Sequence, residues 1–244
     1  MHKPINRLKA FCATGEGGGV DPTCGDSSSK GKKGVSLKRA IDILGQDEDY
    51  DGHIDYGVEH TKTEYYAKIV QEAKDANLML TEKETKEFLS KKLGSGEESA
   101  VYYNEATDRV YRVPHYFVAG RAKNMHNFLT GLTIMQQVFP ELSYKFEGIM
   151  LNKDSNPRAV ISMPRIDGTL LSDAYSSPRE AEDAMEMKLI ANGWIKNDDE
   201  SYISWIEPSS GVRFIDVNPE NFMLSPDGQL IPFDIEPLLK HQWS

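Results

Sequence analysis

Residues 214–237, FIDVNPENFMLSPDGQLIPFDIEP, constrain the fold more than any other stretch of the chain. Short apolar runs recur there at strand-like spacing, bounded by turn residues. Ser225-Pro226-Asp227-Gly228 interrupts them with the composition of a type I turn. Two short strands meeting at that turn would bring three polar side chains to one end of a hairpin. These are Asp216, Asn221 five residues on, and Asp234 thirteen beyond that. A hard cation that bridges phosphates suits such a group. It takes one or two carboxylates and an amide oxygen, with water and phosphate completing the octahedron. A carboxylate beside it can position an acceptor hydroxyl.

The rest of the chain divides by texture. Residues 1–35 read as a flexible Gly-, Ser- and Lys-rich tail with little to bury, residues 36–91 as a helical extension, and residues 92–244 as a mixed α+β domain. Cys12 and Cys24 fall in the tail with no second Cys pair, and read as two thiols rather than a metal clip. Ser36 is placed to cap a short helix running to Leu44, and a longer helix is expected over Thr61–Asn77. Thr81 opens another to about Lys91, with Glu84 completing a capping box. Strand-like runs follow in SAVYYN, DRVYRV, KFEGIML and RAVISM, with helices near Lys123–Val138 and Pro178–Asn192. YISWI, VRFIDV, NFML and QLIPFDI complete the set.

A formal charge of −10 argues against a nucleic-acid backbone as the main partner, while leaving room for a local cationic pocket. No apolar run reaches the roughly 20 residues a membrane helix needs, and no signal-peptide core opens the chain. A cytoplasmic protein with no membrane partner is expected.

Between two expected helices, DEDYDGHIDYGVE (47–59) imitates a calcium loop. Asp47, Asp49, Asp51 and Asp55 stand at ligand positions, Gly52 at the sharp turn and Ile54 at the apolar eighth position. The twelfth position, where a bidentate Glu belongs, holds Val58, and Glu59 comes one residue late. That loss removes two of the six to eight oxygens Ca²⁺ takes, so an acidic solvated loop is the plainer reading.

Upstream, Gly94-Ser95-Gly96-Glu97-Glu98-Ser99-Ala100-Val101 offers a glycine-rich turn whose backbone could approach phosphates. RAVISMPRIDG (158–168) reads as a core strand running into a connector. Here the chain resembles a known family. Asp216-Val217-Asn218-Pro219-Glu220-Asn221 looks like the protein-kinase catalytic loop, and Asp234 stands where kinases carry the metal-binding Asp of D-F-G. The 94–101 segment resembles the kinase glycine-rich loop, with Ser99 in the third glycine's place. GSGEESAVY, His126-Asn127, VFP at 138–140, PRIDG, NGW at 192–194 and DVNPEN are similar to the small serine/threonine/tyrosine kinase-like domain of phage and mobile-element polyvalent proteins. That likeness covers about residues 90–237.

The resemblance implies a protein-kinase-like two-lobe α+β fold with a five-stranded N-lobe and a reduced C-lobe, preceded by the helical extension. It implies a phage-encoded protein of the bacterial cell that binds ATP and Mg²⁺. Asp216 would be the catalytic base, and Asn221 and Asp234 would hold Mg²⁺. Gly94, Ser95, Gly96 and Ser99 would cover the phosphates and Arg112 would orient them. Val101 would lie on the adenine, and backbone groups near Met163–Arg165 would bind its edge. The acceptor would be a hydroxyl on a protein or a small molecule.

Five departures accompany the likeness. Arg112 replaces the third-strand lysine, and the helix expected at 120–138 carries no acid to pair with it. Phe214-Ile215 precede Asp216 in place of His-Arg, and Glu236 replaces the Gly of D-F-G. Ten residues follow Asp234, which leaves no activation segment in view. These departures support a competing expectation, a pseudokinase that binds nucleotide or a partner without turnover.

Overall fold

The computed structural model describes residues 34–45, 59–96, 98–115, 122, 124–198 and 203–238. Asp47, Asp49, Asp51 and Asp55, both cysteines and Lys123 lie outside the described residues, and the calcium-loop reading with them.

The fold is mixed α+β with antiparallel sheets. Three helices come first: α1 (Leu37–Leu44), α2 (Glu59–Asp75) and α3 (Glu82–Phe88). A five-stranded sheet follows, built from β1 (Lys91–Ser95), β2 (Ser99–Asn104), β3 (Arg109–Pro114), β4 (Lys145–Leu151) and β5 (Pro157–Pro164). Its order is β1-β2-β3-β5-β4, because α4 (Met125–Val138) carries the chain from β3 to the far edge before β5 fills the gap. Beyond it come β6 (Thr169–Leu170), α5 (Pro178–Ala191), β7 (Ile195–Asn197), β8 (Ser204–Ile206), β9 (Arg213–Ile215), β10 (Phe222–Leu224), β11 (Leu230–Pro232) and β12 (Glu236–Pro237). These strands make a three-stranded sheet, β11-β10-β6, and a four-stranded one, β12-β9-β8-β7. No described helix is long and apolar enough to cross a membrane.

Strand alternation sorts the five-stranded sheet into two faces. Val110 and Arg112 of β3 point to one side, and Tyr111 and Val113 to the other. The second set packs with Val160, Leu80, Phe88 and Leu89 beneath α3. Phe88 stacks on Tyr111 with ring centroids 5.2 Å apart. The first face looks onto the main core, where Leu37, Ala40 and Leu44 of α1 and Tyr65, Ile69 and Ala73 of α2 join Met125 and Leu129 of α4. Both triplets fall at helical spacing, so the amphipathic stripe accounts for them.

Caps form where the sequence places them. Ser36 accepts from the Arg39 N–H at 3.2 Å, and Thr81 and Glu84 make the reciprocal capping box. The third helix stops at Phe88, three residues before the expected Lys91, because Lys91–Ser95 leaves to pair with β2. The second helix runs Glu59–Asp75 rather than Thr61–Asn77, with Asn77 already at φ 57°. The edge strand β4 is covered by Leu78–Leu80, whose backbone trades hydrogen bonds with Ile149 at 2.8–2.9 Å. Gly148 permits that crossing: its φ is +147°, and a Cβ there would run into the Leu78 carbonyl.

Candidate functional site

The C-terminal hairpin closes at the expected turn. Gly228 donates to the Ser225 carbonyl at 2.9 Å, and β10 pairs with β11 from Phe222↔Pro232 to Leu224↔Leu230. At its open end the Phe233 N–H donates to the Asn221 carbonyl at 3.0 Å, so Asp234 follows directly beside Asn221. β12 then folds back onto β9, setting Glu236 opposite Ile215, the residue before Asp216. Two strand pairings therefore deliver Asp216, Asn221 and Asp234 to one place.

Asp216 sits at φ 57°, a left-handed backbone that costs a non-glycine residue about 1 kcal/mol or more. Side chains hold it there. Asn221 Nδ2 donates to the Asp216 carbonyl at 2.8 Å and to its Oδ2 at 2.9 Å. Asn218 Nδ2 donates to Oδ1 at 3.0 Å, while Asn218 Oδ1 accepts from the Glu220 N–H at 3.0 Å. With the Asn221 nitrogen turned to Asp216, the planar amide turns its oxygen the other way.

Arg112 reaches across from the five-stranded sheet. Its Nη1 lies 2.5 Å from Asp234 Oδ1, its Nε donates to Ser99 Oγ at 2.9 Å, and its Nη2 lies 3.7 Å from Glu98. Burial alone would lower the Arg112 pKa, but Asp234, Tyr144 and Glu98 together outweigh it and the net direction is up. Asp234 is pushed above the ordinary aspartate range by burial, against the pull of Arg112. The short contact favours the charged pair, with the guanidinium holding a carboxylate that burial alone would neutralise.

Around this pair lies a cleft. Val101, Val110, Phe128, Leu132, Ile161 and Met163 form an apolar wall, and Gly96, Glu98, Ser99, Arg112, Asp216, Asp234 and Glu236 a polar rim and floor. Tyr144 closes one side with its hydroxyl 3.4 Å from the Phe233 carbonyl, and burial raises its pKa.

Of the residues singled out from sequence, Gly96, Ser99, Val101, Arg112, Met163, Asp216 and Asp234 line this cleft, and Asn221 braces it from behind. Gly94 and Ser95 belong to β1, where Ser95 Oγ meets His115 Nε2 at 3.0 Å. Arg165 is drawn instead to Asp167 at 2.8 Å and lies over the Tyr103 ring. Its N–H donates to the Asp108 carbonyl and Pro164 has none, so this connector offers fewer backbone donors than expected. Sequence reasoning missed Glu98, Tyr144 and Glu236 as lining residues. The acid that pairs Arg112 is Asp234 itself, 122 residues away, rather than one on the intervening helix.

Among the described residues no three His, Cys, Asp or Glu side chains gather as a metal-binding group. The donor set of Asp234 Oδ2 and the Asn221 amide oxygen still fits Mg²⁺, which keeps several waters and takes phosphate oxygens beside one or two carboxylates. No protein-family model matches the chain, and no curated protein matches it.

Proposed function

We propose that the cleft binds a nucleoside triphosphate with a divalent cation in a protein-kinase-like two-lobe fold, and transfers a phosphoryl group to a hydroxyl acceptor. One observation carries the reading: a carboxylate, an amide and a second carboxylate from the DVNPEN and PFD segments converge beneath an apolar wall, facing a third-strand arginine. In this reading Val101, Val110 and Met163 hold the base. Asp216, oriented by Asn218 and Asn221, accepts the acceptor's proton or fixes its hydroxyl, and Arg112 orients phosphate oxygens. A bound Mg²⁺, held by Asp234 and Asn221, would supply charge neutralisation at the bridged phosphates. Helix α3 covers the face of the five-stranded sheet turned away from the cleft, while α1 and α2 pack with α4 into the core on the other face.

A second reading, nucleotide binding without turnover, is favoured by the Arg112–Asp234 contact. It ties up one oxygen of the metal-binding carboxylate, and the lysine–glutamate pair of active kinases has no counterpart on α4.

Thermal unfolding with ATP, with and without Mg²⁺, tests binding. A midpoint unmoved by either would sink both nucleotide readings. If binding is seen, ATP turnover by wild type and by Asp216→Asn separates them, since only the catalytic reading has turnover to lose.

A further inference from the structure

We infer that Arg112 is an exchangeable counter-ion: it occupies the metal-binding carboxylate until metal and nucleotide arrive together, so that each ligand binds weakly alone. The inference rests on the nucleotide reading and deepens it.

Electrostatics at the cleft makes either ligand a poor guest by itself. Four carboxylates (Glu98, Asp216, Asp234 and Glu236) line it against one guanidinium among the described residues. A triphosphate without metal would bring its negative charge into that ring, and the Arg112 guanidinium it would meet is already 2.5 Å from Asp234. A bare divalent cation meets the opposite obstacle. To coordinate Asp234 at the roughly 2.1 Å that Mg²⁺ demands, it must lie against the Arg112 guanidinium or push it away. Displacement alone would leave Arg112 with Ser99 Oγ at 2.9 Å and Glu98 at 3.7 Å, losing its shortest contact.

Joint arrival removes both obstacles. The cation takes Asp234, and the released guanidinium turns to the phosphate oxygens, for which its planar fork is suited. Ser99 Oγ, on the strand paired with β3, steers Nε throughout, so the movement is a swing of the terminal group rather than of the strand. Two ligands that each favour the same rearrangement are coupled, and the coupling is reciprocal.

The test uses the full chain with Mn²⁺ followed by electron paramagnetic resonance, and a non-hydrolysable ATP analogue followed by calorimetry in chelator. Wild type should bind Mn²⁺ alone no tighter than millimolar, and the analogue in chelator at least tenfold more weakly than with Mn²⁺. Arg112→Gln should bind Mn²⁺ alone at least tenfold tighter than wild type, and adding Asp234→Asn should abolish that gain. Arg112→Met, which keeps the aliphatic stem, stands in if the Gln variant does not fold. Micromolar Mn²⁺ binding to wild type without nucleotide overturns the exchange, as does an unchanged Mn²⁺ affinity in a folded variant. Absence of analogue binding to wild type under any metal condition overturns the nucleotide reading itself, and the exchange with it.

Discussion

The floor and the roof of the cleft are held in different ways. The floor, Asp216 to Asn221, is fastened within six residues by amide donors that satisfy both carboxylate oxygens and the carbonyl of Asp216. The roof, from Gly96 to Ser99 and across to Arg112, meets the floor through a guanidinium contact spanning 122 residues of chain. Local bonds of the first kind fix geometry even against backbone strain. A single long-range ion pair fixes a distance, and yields when a better partner comes. A site of the proposed kind, which keeps one acid in place while admitting a charged ligand, needs both.

In the catalytic reading Asp216→Asn removes the general base, and should have the largest effect. Removing a positioned general base lowers turnover by about 10²–10⁴-fold. Asn tolerates the left-handed backbone at least as well as Asp. The nitrogen of the new amide would however face the Asn218 or Asn221 donor where an acceptor stood, so a loss of about 1 kcal/mol is expected in urea unfolding. A large loss of stability would show that the floor depends on the charge of Asp216 and not on its shape.

Arg112→Met separates roof from floor. Losing one partner of a fully buried pair costs about 3–5 kcal/mol. Here the side chains are 28% and 32% exposed, so water takes up part of the orphaned charge and about 2 kcal/mol is expected in urea unfolding. Asn221→Ala attacks the floor instead. It removes two hydrogen bonds from a buried position, an expected loss of about 1–2 kcal/mol. If Asn221→Ala costs more than Arg112→Met, the local bonds dominate the stability of the site as well as its geometry.

What was legible in the sequence follows the same division. SAVYYN and KFEGIML become β2 and β4 with both boundaries intact, because each is a short apolar and aromatic run bounded by polar turn residues. The 225–228 turn and the Thr81–Glu84 box are equally local. Lys91–Ser95 was missed as a strand because its pairing with β2, not its own propensity, makes it one. Tyr144 belongs to no motif and Glu98 fills an unspecified position of the 94–101 loop; only the meeting of β4's entrance with the 233–234 bend, and of Glu98 with Arg112 of β3, brings them to the cleft. Arg165 illustrates the reverse: a motif position whose side chain is claimed by Asp167 and whose N–H is claimed by Asp108.

The smallest predicted effect concerns what feeds the floor. Glu207 sits in the turn between β8 and β9, 9% exposed, and accepts from the N–H and hydroxyl of both Ser209 and Ser210 at 2.6–3.0 Å. Burial works to raise its pKa, yet these four donors prevail and hold it below the ordinary glutamate range. The unfolded chain therefore binds the proton more readily than the folded one. The contribution of Glu207 is fully present at neutral pH and fades as pH falls below about 4 through the folded value. Glu207→Gln should destabilise wild type modestly at pH 7, by about 1 kcal/mol, and by less at pH 3. A gap that stays constant across that range in urea titrations would mean the turn is held by shape alone. The strand leading into Asp216 would then owe nothing to the ionised carboxylate of Glu207.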